Sequence, residues 1–333
     1  MHSALCAFSR PVCLARPQRL SVSAWTEHIP FAMNLMAVLR PRVFVELGTH
    51  HGDSYCASCQ AVAELALPTR CYAVDTWEGD EHSGRYGPEV LLDLRAHHDR
   101  RYAGFSTLVQ STFEEARAHF GDGEVDLLHI DGLHTFEAAR ADLDAWLPKM
   151  SDSGVVLMHD INVRQRDFGV WRVWGEVAAR WPHFAFAHGH GLGVAAIGAV
   201  VPPALRPLLD ASEEERIEIR TFYAELGWRV GLMSEAKALA DALSAARASC
   251  AESTARAASE AARAASEAAR ATLAEARATE AQARATATAL ERDAVAAELS
   301  SVGASLASSR VWRLARRWWT VRDGVLERLR GGR

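Results

Sequence analysis

The stretch Val43-Phe44-Val45-Glu46-Leu47-Gly48-Thr49-His50-His51-Gly52-Asp53-Ser54 decides the fold. A run of strand-forming residues carries an acid near its end, and glycines follow at 48 and 52. Glycine lets a backbone approach a ligand where a Cβ would collide. Outward from this loop the same kind of run recurs at Cys71-Tyr72-Ala73-Val74-Asp75, at Val125 to Ile130 before Asp131, and at Val155-Val156-Leu157-Met158 before His159-Asp160. Helical patterns lie between them, at Phe113 to Phe120 and Thr135 to Leu147. Strand, helix, strand at this spacing predicts βαβ units and an α/β, doubly wound parallel sheet covered on both faces. Such sheets bind ligands in the crevice beyond the strand C-termini. A nicotinamide fingerprint would read Gly-x-Gly-x-x-Gly, and this loop does not.

Composition narrows the class. The chain has 333 residues, 49% apolar and 24% charged, the balance of a soluble protein with a core. A net charge of −5 argues against a nucleic-acid partner. That average is uneven: 308–333 hold eight Arg against Asp323 and Glu327, net +6, leaving −11 on the remainder. No run of ~18 apolar residues offers a membrane span, and Arg10, Pro11, Arg16 and Pro17 interrupt any secretory leader. A cytoplasmic protein is expected. The six Cys, at 6, 13, 56, 59, 71 and 250, lack disulfide-scaffold spacing, and Cys56-x-x-Cys59 lacks the second pair of a zinc site. They read as packing residues.

Five zones follow: an N-terminal extension with a helix (1–40), the sheet domain (41–203), a helical connector (204–233), an Ala/Arg/Glu-rich segment (234–309) and a basic, Trp-rich tail (310–333). In the fourth, Arg recurs every seven residues at 256, 263, 270, 277 and 284, with Glu260 and Glu267 four residues after an Arg. A strict seven-residue period favours a left-handed coiled coil, hence a homo-oligomer, while a solvated single helix remains the alternative. In the tail, Val311, Leu314, Trp318, Val321 and Val325 make one apolar face dressed by Arg310, Arg313, Arg316, Arg317 and Arg322. A basic amphipathic helix suits an anionic membrane surface or a partner helix.

Asp75 gives the glycine loop its meaning, because a carboxylate ending the second strand can accept from both hydroxyls of a ribose. Glu46, Gly48, Gly52 and Asp75 together resemble the class I S-adenosylmethionine-dependent methyltransferases, with a Rossmann-like sheet. The resemblance implies S-adenosyl-L-methionine as cofactor. Gly48, Thr49, Gly52 and Ser54 would lie along it, Glu46 would organise the loop, and Asp75 would hold the ribose. Thr76 and Trp77 would border the adenine, Gln110, Ser111 and Thr112 would read its edge, and Asp131 would close the far side.

The second constellation is Asp131-Gly132-Leu133-His134 with His159-Asp160-Ile161-Asn162. Neighbouring parallel strands would bring Asp131, His134, His159 and Asp160 to one edge of the crevice. Two carboxylates there could hold Mg²⁺, and a histidine could take a proton from an acceptor hydroxyl. Asp131 and Asp160 are thus candidate metal ligands; Asp131, His134 and His159 are candidate catalytic residues. Structural readings stand beside these: His134 as a cap on the Thr135 helix, His159 as hydrogen-bonding core. His129 points into the sheet by alternation and reads as structural.

Ile130-Asp131-Gly132-x-His134-Thr135-Phe136-Glu137, then Asp142-x-Asp144-x-Trp146, then Gly154 to Asp160, resembles bacterial small-molecule and sugar O-methyltransferases, similar to macrolide-sugar and cephalosporin-pathway enzymes. It covers roughly Pro41 to Pro203 and implies a small-molecule or glycan acceptor. His159-Asp160 departs from the two consecutive acids of the macrolide-sugar group. Trp171 and Trp174 read as core or as an acceptor wall, with Arg164 or Arg166 gripping an anion. His188-Gly189-His190 reads as a turn. The tail resembles the Ser-x-x-Trp-Arg-Leu ends of some envelope-glycan glycosyltransferases. Hydroxylase-like chemistry on the same scaffold and a non-catalytic oligomeric scaffold are the alternatives.

Overall fold

The computed structural model describes residues 4–21, 23–267, 274–308, 314 and 318–324. The chain divides into two compact units, Met1–Ala238 and Leu239–Arg333.

The first unit is built on strands β1 (Val43–Leu47), β2 (Arg70–Asp75), β3 (Gly79–Asp80), β4 (Gly84–Arg85), β5 (Ser106–Gln110), β6 (Val125–Ile130), β7 (Met150–His159), β8 (His183–Phe186) and β9 (Leu192–Ala196). Its helices are α1 (Ala4–Phe8), α2 (Ile29–Leu39), α3 (Asp53–Glu64), α4 (Glu89–Tyr102), α5 (Phe113–Arg117), α6 (Phe136–Trp146), α7 (Val170–Arg180), α8 (Arg206–Leu209) and the start of α9 (Glu213–Glu267). Seven strands form one sheet in the order β5-β2-β1-β6-β7-β9-β8, and β3 with β4 makes a separate hairpin. Pairings from β5 through β7 are parallel; β9 pairs antiparallel with both β7 and β8. The sheet is therefore mixed, with β9 alone reversed.

Strand alternation decides which side each residue covers. Phe44, Leu127, Val155 and Leu157 enter one core, packed by α2, α3, α4 and by Ile219, Tyr223 and Val230 of α9. Val45, Leu47, Leu128, Ile130, Val156 and Met158 enter the other, packed by α6 and α7. By the same alternation Glu46, His129 and His159 fall on the first face. All three are buried.

Before β1, Phe8, Trp25, Ile29 and Phe31 are buried in that first core. Local chemistry sets several boundaries. Helix α2 stops at Arg40, in the left-handed region at φ 48, just before Pro41. Thr112 and Glu115 form a capping box on α5, which ends at Arg117 rather than continuing to Phe120. Thr135 caps α6 by accepting from the Ala138 N–H. Strand β9 ends at Ala196, beyond which Ile197 and Gly198 donate to the Gly154 carbonyl.

The second unit contains the rest of α9 and α10 (Ala274–Ser308). Arg256, Arg277 and Arg284 are exposed, and Arg284 pairs with Glu280 at 3.2 Å. The side chain of Arg263 and all of Arg270 lie outside the described residues. So do Arg310, Val311, Arg313, Arg316, Arg317 and Val325 of the tail. Leu314, Trp318, Trp319 and Val321 are exposed, and Arg322 pairs with Asp323. Among the described residues no helix is long and apolar enough to cross a membrane.

Two glycines near α7 test the packing in opposite directions. A Cβ on Gly193 would lie 2.4 Å from the Trp174 ring, whereas one on Gly175 meets nothing within 4 Å. Gly193→Ala should cost about 1–3 kcal/mol by overpacking, and Gly175→Ala should gain about 0.5–1 kcal/mol of helix propensity. Thermal melts read both: the midpoint falls for the first and rises for the second.

Candidate active site

The loop after β1 is held between its neighbours. Gly48 donates to the Val74 carbonyl at 3.0 Å, and Asp131 donates to the Leu47 carbonyl at 2.9 Å. At φ +85 a Cβ on Gly48 would stand 2.1 Å from the Asp131 carbonyl oxygen. Gly52, at φ +79, faces the Leu94 side chain at 2.6 Å in the same way. These glycines thus serve backbone conformation and close packing, and both still line the cavity described next.

That cavity, about 340 Å³, opens where strand order reverses between β1 and β6. A volume above 300 Å³ at a switch point is the setting for a cofactor. Asp75 borders it from the end of β2. Its carboxylate accepts from the backbone N–H groups of Thr49 (2.8 Å), His50 (2.9 Å) and Trp77 (2.7 Å). A carboxylate has about four acceptor positions, so one is left for a ligand beyond this stapling of the loop.

Gly48, Thr49, Gly52, Ser54, Asp75, Thr76 and Asp131 line the cavity as expected from sequence. Four expected cofactor residues do not, among them Gln110, whose amide donates instead to the Thr76 carbonyl at 3.2 Å. Trp77 is buried with φ 53, and its indole donates to the His50 carbonyl at 3.0 Å, which turns the ring into the core. Ser111 hydrogen-bonds Glu115 beside the α5 cap, leaving Thr112 and Phe113 to face the cavity. Glu46 lies below the loop, paired with His129 at 2.8 Å. The cavity gains walls that the sequence did not announce: Ser23 and Trp25 from the N-terminal segment, and Asp80, Ser83 and Tyr86 around the β3–β4 hairpin. Gly79 and Gly84, both at positive φ, are the local signal for that turn, and nothing local sets where it packs.

The lining is acidic. Asp53, Asp75, Asp80 and Asp131 contribute four carboxylates against one imidazolium, His134, and among the described residues no Lys or Arg borders the cavity. Burial and the neighbouring His51 push His50 down, so it adds no positive charge.

Beside the cavity the strand ends bring the acids and histidines together. The His134 Nε2 lies 2.9 Å from Asp160 Oδ2 and 3.5 Å from Asp131 Oδ1, with its ring stacked on Phe168 at 4.7 Å. His159 Nδ1 lies 3.3 Å from Asp131 Oδ1, while its Nε2 donates to the Gly189 carbonyl. His190 reaches Asp160 Oδ1 at 3.0 Å. Burial opposes a charge on His134, but its hydrogen bonds to Asp131 and Asp160 outweigh burial and hold it at about 10. Burial likewise opposes the Asp131 carboxylate, yet the charge of His159 and the hydrogen bond from His134 keep it well below the usual range. His134 therefore carries its proton at neutral pH. This corrects the expectation of a free general base: it is a cation held between two carboxylates.

Ligand atoms of Asp131, His134 and Asp160 all lie within 4.8 Å of one another, so the three could close on one ion. The expected pair Asp131 and Asp160 thereby gains an imidazole donor. Asp142, behind them, is pushed up to about 7 by burial. Of the other sequence candidates only His190 touches the cluster, through Asp160. Trp174 packs on Gly193 in the core, and Trp171 is half-exposed under the Arg164 guanidinium at 4.6 Å. His188 and His190 sit in a turn closed by the Gly191 N–H to His188 carbonyl bond.

Residues 45–161 match the family model described as a methyltransferase domain. The uncharacterized protein y4gI of Sinorhizobium fredii is 50% identical over 186 residues, 56% of this chain and 20% of that protein. The chain thus spans a fifth of the length of the curated relative it matches. Among solved structures, the O-methyltransferase TomG of Streptomyces achromogenes, in complex with SAM, is 14% identical with a TM-score of 0.40, covering 54% of this chain and 83% of that one. The O-methyltransferase from Bacillus cereus in complex with SAH is 13% identical with a TM-score of 0.39, over 54% and 84%. Residues 45–161, which hold most of the parallel strands β1 to β7, are thus similar to a methyltransferase domain.

Proposed function

We propose that this protein transfers the methyl group of S-adenosylmethionine to a hydroxyl oxygen, the acceptor being a sugar of a glycan or of a glycosylated metabolite. One observation carries the reading: a switch-point cavity bordered by four carboxylates, which outnumber its one cation, His134, and, among the described residues, by no Lys or Arg. A sulfonium cofactor is cationic at its reacting end and suits such walls; the pyrophosphate of a dinucleotide does not. The S–CH₃ bond breaks as the O–CH₃ bond forms, and the hydroxyl proton passes to a carboxylate oxygen of the Asp131–His134–Asp160 cluster, His134 already holding its own proton. The sulfonium carbon is already electrophilic, so the protein mainly aligns the acceptor and removes that proton. The hydroxylase-like alternative gains no support from a match to a methyltransferase domain.

Two carboxylates with an imidazole fit a divalent ion of the Mn²⁺ or Zn²⁺ type better than Mg²⁺, which prefers oxygen alone. Such an ion would take the place of the His134 proton and supply positive charge beside the acceptor oxygen.

We infer further that α9 beyond Ala238, α10 and the tail locate and multimerise the enzyme without entering the chemical step. Every residue assigned above to the cavity or the acid–histidine cluster lies in the first unit. An Ala-rich seam buries little area per contact, so association should depend on concentration. Each tail Arg near an anionic surface adds about 1 kcal/mol, lost at high salt.

Three measurements follow from this. Calorimetry with S-adenosylhomocysteine should show binding by the wild type and its loss in Asp75→Ala; no binding by either, or equal binding by both, sinks the cofactor reading. Mn²⁺ or Zn²⁺ should raise the thermal midpoint more than Mg²⁺ does, and Asp160→Asn should remove the gain; an absence of any shift leaves the cluster as a proton-handling group without metal. Truncation after Ala238 should leave cofactor affinity unchanged, lower the sedimenting mass and abolish pelleting with anionic vesicles. A folded truncation that no longer binds cofactor overturns this division of labour.

A further inference from the structure

The wall of the cavity nearest the switch point comes from outside the matched methyltransferase residues. Trp25 is 4% exposed and lines the cavity, while the family match begins at residue 45. Its indole N–H donates to His129 Nε2 at 3.1 Å. His129 must therefore carry its own hydrogen on Nδ1, which donates to Glu46 Oε2 at 2.8 Å. His129 and Glu46 are register partners across the β1–β6 pair, so this chain of hydrogen bonds hangs Trp25 over the strand ends where the crevice opens. His28, His129 and His159 pack around the ring at centroid distances of 5.8, 5.1 and 6.0 Å. The part of the ring they leave uncovered borders the cavity.

The segment carrying Trp25 is tied down on both sides. Ser21 N–H donates to Asp53 at 2.9 Å, Arg19 Nε to the His51 carbonyl at 2.5 Å, and Ser234 Oγ of α9 to the Ser21 carbonyl at 2.7 Å. Helix α9 presses so close that a Cβ on Gly227 would stand 2.1 Å from the Glu27 carbonyl oxygen.

We propose that Trp25 is a cofactor-binding residue, its ring facing the sulfonium of S-adenosylmethionine, and that His129 and Glu46 are the positioning residues that hold it there. An aromatic face attracts an onium cation, all the more so in a cavity without competing Lys or Arg. The neutral thioether of S-adenosylhomocysteine makes the same contacts but receives none of that attraction. The two ligands therefore separate recognition of charge from simple packing.

This rests on the cofactor proposed above, and the experiment keeps the two apart. Affinities of full-length wild type, Trp25→Phe, Trp25→Leu and Glu46→Gln are measured by calorimetry for both ligands. Trp25→Leu should lose about 3- to 30-fold more affinity for S-adenosylmethionine than for S-adenosylhomocysteine. Trp25→Phe keeps a smaller aromatic face and should show a lesser excess loss. Glu46→Gln, which keeps Trp25 but loosens its support, should show an excess loss in the same direction; together with Trp25→Phe it carries the test if Trp25→Leu does not fold. Equal losses for both ligands, or none, overturn the role of Trp25. A wild type that binds neither ligand overturns the methyl-transfer reading itself.

Discussion

A carboxylate sits in the first core at Glu46, fully buried, and much of the site is arranged around making that tolerable. Burial pushes its pKa up, against the pairing with His129. Removing one partner from such a pair costs about 3–5 kcal/mol, because the other is left uncompensated. His129 in turn accepts from Trp25, so the pair draws the N-terminal segment over the sheet. Helix α9 then closes on that segment at Gly227 and Ser234. One buried acid thus links β1, β6, residues 19–28 and α9, and it does so at the switch point, where the cavity lies.

The charge balance of the site follows from the same economy of space. Strand ends gather Asp131 and Asp160 within reach of His134, His159 and His190. Acids this close would repel if left alone, and the imidazoles compensate them from several sides. The cavity itself keeps its carboxylates without an Arg or Lys on its walls among the described residues.

The second unit obeys different physics. Its described side chains are largely exposed, and α10 runs through Ala, Glu, Arg and Thr with few large apolar groups. Helices of that composition gain little from burial in isolation, so their order depends on i,i+4 pairs such as Arg284 with Glu280 and on what they meet.

The amino-acid order by itself determined the alternating strands and helices, because periods of 2 and 3.6 are local properties of the chain. It also placed Asp75, Gly48 and Asp131 at strand ends, since each follows directly on an apolar run, and Asp160 one residue beyond such a run. Alternation put His129 inside the sheet. Position at a strand end did not settle environment: Trp77 looked open to the cavity, yet a backbone at φ 53 and a bond to His50 turn it inward. His134 looked like a base, yet two carboxylates brought in by β6 and β7 make it a cation. Trp25 carried no periodic signal at all, for its partner His129 lies 104 residues away. Such contacts were decided only by the tertiary structure, because the energies that fix them arise between groups that nothing but the folded sheet brings within hydrogen-bonding distance.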